Sequence, residues 1–285
     1  MPLGAHMSIA GGIHKALERG QSFGCECIQV FTKNPRQWAA RQLSDEDILL
    51  FKQGREETGI DPIVAHDSYP INLASPKEEL WHKSLESFAG ELDRCARLEI
   101  PYLIMHPGSY GIDGKELGLQ RVAQAFNLLF ERSSGGAVMV LLETTAGHKH
   151  SLGSSFEQLA RIIEMVERKE RLGICFDTCH AHAAGYDLSS EEGYAQTMAE
   201  FDRLVGLEQI KAFHLNDSLK PCASKVDRHA HIGQGTIGRT GFACLMQDQR
   251  FVNIPMVLET PKGDQNEMDL INLELLRELA VGTAA

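Results

Sequence analysis

Residues 172–180 read Leu-Gly-Ile-Cys-Phe-Asp-Thr-Cys-His. A short apolar run ends in a carboxylate, Asp177, and His180 follows three residues later. The pattern recurs in both directions along the chain. Apolar runs rich in β-branched residues occupy Pro2–His6, Cys27–Phe31, Pro62–His66, Tyr102–His106, Val138–Glu143, Leu172–Asp177, Ile210–His214 and Pro255–Glu259. Amphipathic stretches with apolar residues at three- and four-residue steps lie between them. Glu79–Leu98, Leu119–Phe130, Phe156–Val166 and Glu267–Leu279 are the clearest, and each reads as a helix. Ser44 followed by Asp47 reads as a helix start. Eight strands alternating with helices over 285 residues predict an α/β fold, a (β/α)8 TIM barrel forming one domain over residues 1–285. A doubly wound open sheet is the alternative.

Six consecutive runs end in a metal-ligand residue type: His66, His106, Glu143, Asp177, His214 and Glu259. They are spaced by 40, 37, 34, 37 and 45 residues, each about one βα unit. In a barrel these ends meet at the C-terminal mouth, where barrel enzymes keep their active sites. A lone histidine at a strand end is usually a hydrogen-bonded structural residue, and a lone carboxylate there is often a helix cap. Six in succession are better explained by divalent metal, which neutralises a cluster that would otherwise desolvate and repel. His180, Asp227 and His229 form a further set. In an extended loop, side chains at 227 and 229 project the same way and reach one cation. Nine nitrogen and oxygen candidates favour zinc. A single catalytic zinc uses about three protein ligands, so nine suggest three ions with one bridging carboxylate, a device suited to phosphoryl chemistry.

The chain carries a formal net charge of −11 and 12 histidines, the latter about twice the share expected of an average soluble chain. The acidic total argues against a partner held mainly by a strong positive field, yet the charge is uneven. Residues 31–41 contain Lys33, Arg36 and Arg41 and no acid, and residues 211–231 carry four Lys or Arg against two Asp. Both stretches follow strand ends and are expected at the mouth. Acidic positions such as 45–47 and 56–57 are expected on the far side. In residues 34–38, Asn-Pro-Arg-Gln-Trp, a turn is combined with a phosphate- or base-reading Arg36 and an aromatic able to stack. Seven cysteines without a CxxC pair read as reduced, mostly buried thiols. The longest apolar run, Ala137–Leu142, is far too short to span a membrane. No secretion signal opens the chain, so a cytoplasmic protein is expected.

Motifs along nearly the whole chain resemble the endonuclease IV family of zinc-dependent abasic-site endonucleases. They are Gly4-Ala5-His6 with Gly11-Gly12, then FTKNPRQW (31–38), HDSYPINL (66–73), HPGS (106–109), LETTA (142–146), FDTCHAHAAGYD (176–187), HLND (214–217), DRHAHIGQGTIG (227–238) and LET (258–260). The resemblance implies a xylose-isomerase-like TIM barrel with three zinc ions per chain. Position by position it makes His66 and His106 ligands of the first zinc and Glu143 the bridge to the second. Asp177, His214 and Glu259 complete the second, and His180, Asp227 and His229 hold the third. It further implies catalytic roles for Glu143, Glu259 and His106, and DNA contacts from Arg36, Gln37, Tyr69, Pro70 and His231. Arg36 and Tyr69 fall at positions that wedge into bent DNA. After that tyrosine the family often carries Leu where this chain has Pro70, and His182 replaces an expected aromatic residue. The implied substrates are duplex DNA with abasic sites or blocked 3′ ends, and a monomer is expected. The implied reaction cuts the phosphodiester 5′ to the lesion, leaving a 3′-hydroxyl and a 5′-deoxyribose phosphate. Divalent-metal sugar isomerases and epimerases of the same barrel group are the runner-up. The 180, 227 and 229 set and the 34–38 loop argue against them. A non-catalytic lesion binder would be expected to lack the bridging carboxylate.

Overall fold

The computed structural model describes residues 1–132, 138–264 and 267–282. Ala137, where the longest apolar run begins, lies outside them. The barrel strands are β1 (Leu3–His6), β2 (Cys27–Phe31), β3 (Ile63–His66), β4 (Tyr102–Met105), β5 (Met139–Glu143), β6 (Leu172–Asp177), β7 (Ile210–Leu215) and β10 (Met256–Leu258). Two further short strands, β8 (Asp217–Ser218) and β9 (His229–Ala230), form a separate antiparallel ribbon. The helices are α1 (Lys15–Ser22), α2 (Asp45–Thr58), α3 (Glu78–Leu98), α4 (Lys115–Arg132), α5 (Phe156–Met165), α6 (Thr178–Ala184), α7 (Glu191–Leu204), α8 (Gly238–Gln247) and α9 (Glu267–Val281).

All eight barrel pairings are parallel, and the sheet closes through β1 with β10. The eight strands expected from the sequence are the eight observed, with ends differing by one residue at most positions. The expected helices are also present. Ser44 caps α2 with a reciprocal capping box to Asp47, an arrangement worth about 1 kcal/mol. Among the described residues no helix is long and apolar enough to cross a membrane.

Two cores follow from strand alternation. Cys27, Val64, Ile104, Leu141, Cys175, Ala212 and Val257 pack together inside the barrel. Gly4 fills the corresponding place on β1, because a Cβ there would come within 1.7 Å of the Cys27 carbonyl oxygen. The opposite faces meet the helices. There Phe176 and Phe213 join Phe156, Phe201 and Phe251 in a chain of ring contacts with centroids 4.9–6.1 Å apart, favourable geometry for buried aromatics. All seven cysteines are free thiols, five of them buried.

The ribbon is locked to α8 by Asp217. Its carboxylate accepts hydrogen bonds from the backbone N–H groups of Ser218 at 2.7 Å, Gly235 at 2.9 Å and Ile237 at 3.0 Å. Gly235 permits that approach, since a Cβ would fall 2.4 Å from Asp217 Oδ1.

Candidate metal centre

One step of strand alternation builds the site. In each barrel strand the residue two positions beyond the inner-core residue also points inward, one layer nearer the mouth. Those residues are His6, Gln29, His66, His106, Glu143, Asp177, His214 and Glu259. All six residues expected from the sequence therefore share one layer. His6 and Gln29 complete it and were missed, although His6 ends its strand in the same way.

Glu143 is fully buried at the centre. Its Oε2 lies 3.1 Å from Nε2 of both His66 and His106, and its Oε1 lies 2.9 Å from Nδ1 of His214. Asp177 Oδ2 stands 3.8 Å from His214 Nδ1, and Glu259 Oε2 stands 3.4 Å from the same nitrogen. Asp227 bridges the outer histidines, at 3.1 Å from His180 Nε2 and 3.2 Å from His229 Nε2. Three groups of donor atoms result, each within 4.8 Å: His66, His106 and Glu143; Glu143, Asp177, His214 and Glu259; and His180, Asp227 and His229. These are the groupings that the family resemblance implies. His180 reaches its place from the first turn of α6, whose N-cap is Asp177 itself, with Oδ1 accepting from the His180 backbone N–H at 2.7 Å.

Hydrogen bonds at the far ring nitrogens orient the histidines. Carbonyl oxygens only accept, so each ring nitrogen facing one must be the N–H. His66 Nδ1 donates to the Asp67 carbonyl at 2.9 Å, His180 Nδ1 to the Thr144 carbonyl at 2.9 Å, and His229 Nδ1 to the Glu259 carbonyl at 3.1 Å. His214 Nε2 donates to Gln29 Oε1 at 2.6 Å. The remaining nitrogens, each with a lone pair in the neutral ring, all turn toward carboxylates. His229 Nε2 is buried and, although Asp227 Oδ1 lies 3.2 Å away, makes no well-aligned hydrogen bond. Such pairs require positive charge between them, supplied either by protons on the rings or by cations, and oriented imidazoles beside carboxylates are the usual first coordination layer of zinc.

The electrostatics show the same demand. Burial pushes the His66 imidazole down, but Glu143, Asp67 and Glu259 outweigh it and lift the group to about 10. His229 rises to about 9, with burial opposed by Asp227 and Asp177. Burial raises Glu143, yet His106 and His214 bring it well below the ordinary carboxylate range. Glu259 falls to about 2, as His214 overcomes burial. Burial takes His6 down to about 3 against the pull of Glu259, so it stays neutral.

Gln29 and Asn216 tie the layer together. Gln29 Nε2 donates to Glu259 Oε1 at 2.6 Å and to His6 Nδ1 at 2.9 Å. Asn216 donates to Asp177 Oδ2 at 2.7 Å and accepts from the Glu259 N–H at 3.0 Å. A buried polar amide carries no ligand signature, so the sequence does not single either residue out.

The donors open into a cavity of about 330 Å³ lined by His6, Phe31, His66, Tyr69, His106, His180, Asp227, His229, Glu259 and Lys262. A larger groove of about 900 Å³ shares His6, Phe31 and Lys262 and continues past Asn34, Pro35 and Arg36. The Tyr69 N–H donates to the Pro35 carbonyl at 2.9 Å, which joins the two loops. Tyr69 is 65% exposed and rests edge-on against Phe31. Arg36 and Gln37 are exposed and Pro70 is half-buried. Among the described residues Arg36 has no acidic partner. His231 does not line the cavity, and Asn272 donates to its Nδ1 at 3.2 Å.

The structure corrects the charge count at the mouth. Lys33 is buried and sits 3.4 Å from Glu91, while Arg41 pairs with Asp47 at 2.8 Å. Asp47 thus stands beside the loop and not on the far side, because a helix following a parallel strand begins at the mouth. Lys211 is the second residue of β7 and so belongs to the opposite end of the barrel. Trp38 is partly packed on the core, with Lys83 over its ring at 4.6 Å, and is not a free stacking surface. A count of residues carries no information on pairing, which is why these assignments failed.

Comparison with known proteins gives a consistent result. The family described as xylose isomerase-like TIM barrel matches residues 17–279. A protein of Chloroflexus aurantiacus named probable endonuclease 4 is 54% identical over 279 residues, 98% of each chain. The crystal structure of endonuclease IV from Thermus thermophilus superposes with a TM-score of 0.86 at 37% identity, over 98% of each chain. A solved D-tagatose 3-epimerase-like protein has a TM-score of 0.74 at 18% identity, covering 98% of this chain and 97% of that one, a likeness of fold alone.

Proposed function

The chain belongs to the endonuclease IV family of xylose isomerase-like TIM barrels, and from that premise we propose that this DNA-repair endonuclease hydrolyses the phosphodiester 5′ to an abasic site with three zinc ions. The observation that carries the reading is the set of four histidines whose outer nitrogens are committed to carbonyl oxygens while their inner nitrogens face carboxylates. His66, His106 and Glu143 would hold the first zinc, and Glu143, Asp177, His214 and Glu259 the second. His180, Asp227 and His229 would hold the third. Bound zinc supplies Lewis acidity, bringing water near a pKa of about 7 and balancing charge on the phosphate oxygens.

The chain's own groups do the remaining work. Glu143 fixes the spacing of two donor sets with one carboxylate. Glu259, held by Gln29 and facing the cavity, holds the attacking water and accepts its proton. His106, whose side chain is 48% exposed, is the most accessible of the inner donors and stands where the phosphate enters. Arg36 and the exposed Tyr69 ring enter the duplex at the lesion, with Pro70 beside them. A missing base lowers the cost of turning the nucleotide out of the stack. Gln37 contacts the strand from the same loop, and His231, held by Asn272, contacts a phosphate. The products are a 3′-hydroxyl and a 5′-deoxyribose phosphate, and the same pocket trims blocked 3′ ends. The barrel closes without a partner, in keeping with a monomer. A sugar isomerase would have no use for the third donor set or for the exposed Arg36 and Tyr69.

Nicking of a duplex carrying one tetrahydrofuran abasic analogue tests the reading, beside the same duplex undamaged. Cutting of the lesion strand alone supports it, and equal cutting of both, or of neither, overturns it.

A further inference from the structure

His182, Asp187 and Cys222 play no part in the chemistry above, yet they form a group of their own. A ring nitrogen, a carboxylate oxygen and a thiol sulfur from the three lie within 4.8 Å of one another. His182 is buried on α6, Asp187 follows the end of that helix, and Cys222 lies in the loop between β8 and β9. His182 Nδ1 is 3.7 Å from Asp187 Oδ1. Ser189 orients that oxygen, donating from its N–H at 2.9 Å and its hydroxyl at 2.7 Å.

We propose that His182, Asp187 and Cys222 form a fourth divalent-metal site, suited to zinc, that fastens the 219–226 loop to α6. Imidazole, thiolate and carboxylate are the three donor types zinc favours, and three protein donors leave the fourth tetrahedral position to water. A tetrahedral zinc separates its donors by roughly 3.3–3.8 Å, given metal–ligand lengths of about 2.0–2.3 Å. The His182–Asp187 pair already meets this; closure needs the Leu188 N–H, which donates to His182 Nδ1 at 3.3 Å, to yield that lone pair to the ion, and Cys222, which is partly exposed, to move in. The loop is in position for it. The Ala223 N–H donates to the His182 carbonyl at 3.1 Å, and the Lys225 N–H donates to the Ala183 carbonyl at 2.9 Å. Ala223 and Lys225 hold left-handed φ angles of 62° and 56°, a conformation that costs non-glycine residues energy and needs surrounding support. The loop leads directly into Asp227 and His229, and α6 carries His180. An ion here therefore ties together the two segments that bring the third donor set into register.

The test uses the full chain, stripped of metal and reloaded. With cobalt(II), a thiolate-to-metal charge-transfer absorption is expected in the near ultraviolet. It should vanish in Cys222→Ser and persist in Cys179→Ser, whose sulfur is the other thiol near a donor group. With zinc, native mass spectrometry should count one ion more on the unmodified chain than on Cys222→Ser or His182→Phe. Zinc should also shield Cys222 from iodoacetamide in the unmodified chain, so the outcome does not depend on any variant folding. Equal alkylation of Cys222 with and without zinc overturns the proposal, as does an absorption lost only with Cys179. These readouts count ions and thiols, not cut DNA, so they are independent of the nuclease reading.

Discussion

Glu143 offers Oε1 to His214 Nδ1 at 2.9 Å while its other oxygen faces His66 and His106 at 3.1 Å. One buried carboxylate therefore serves two donor sets, and its loss should not behave like the loss of a peripheral ligand. Glu143→Gln keeps the shape but halves the acceptor capacity. It is expected to lower bound metal by about two equivalents and to abolish turnover, whereas His180→Ala should lower it by about one, as one ion per donor set would require. Inductively coupled plasma mass spectrometry on dialysed protein distinguishes the two.

Glu259→Gln leaves the Gln29 contact possible but removes the proton acceptor. Turnover on an abasic duplex should fall on the order of 10²–10⁴-fold while binding of that duplex remains measurable by fluorescence anisotropy. Unchanged turnover would remove Glu259 from the reaction.

Gln29 fixes His214 Nε2 as the N–H and holds Glu259. Gln29→Leu breaks both contacts without touching a donor atom. Partners of this kind typically contribute roughly 10–100-fold to metal affinity or activity, and a loss of that size in a zinc competition titration is expected.

Tyr69 protrudes at the cavity rim, and Arg36 sits beside it without a carboxylate partner among the described residues. Tyr69→Ala should change stability by no more than about 0.5 kcal/mol, as exposed positions usually do. It should weaken binding to lesion DNA more than to undamaged DNA. Equal weakening of both would make Tyr69 a general backbone contact.

Metal binding should release protons. In the metal-free chain His66 and His229 are raised from 6.5 to about 10 and about 9. Both then carry protons at pH 7 and keep them until the pH passes those values, and zinc must displace them. Loading at about pH 7 should release at least two protons per chain, and zinc affinity should rise with pH between about 6 and 9. A pH-indicator titration shows both.

The barrel is legible because its strands are continuous apolar runs that end in chemistry, and strand alternation carries a pattern of period two without ambiguity. The six ends from His66 to Glu259 are legible for the same reason, since no packing role accounts for so many ionisable groups at equivalent positions. His6 escapes notice because Pro2–His6 lies outside the consecutive six. Gln29 and Asn216 are invisible because an amide announces nothing until its partners are known. The β8–β9 ribbon has strands of two residues, too short for periodicity to register. Lys33 and Arg41 read as free positive charge because Glu91 lies far from the first in sequence and Asp47 sits in a helix assigned to the wrong end of the barrel.

The proposed reaction is cleavage of DNA 5′ to an abasic lesion by a trinuclear zinc site. It is tested most directly by mapping the incision of a tetrahydrofuran-containing duplex while counting zinc on the same protein sample. A single nick immediately 5′ to the analogue, ending in a 3′-hydroxyl, is expected from protein carrying three zinc ions in the clustered site. An intact lesion strand, or full activity from protein with fewer than two bound ions, would contradict it.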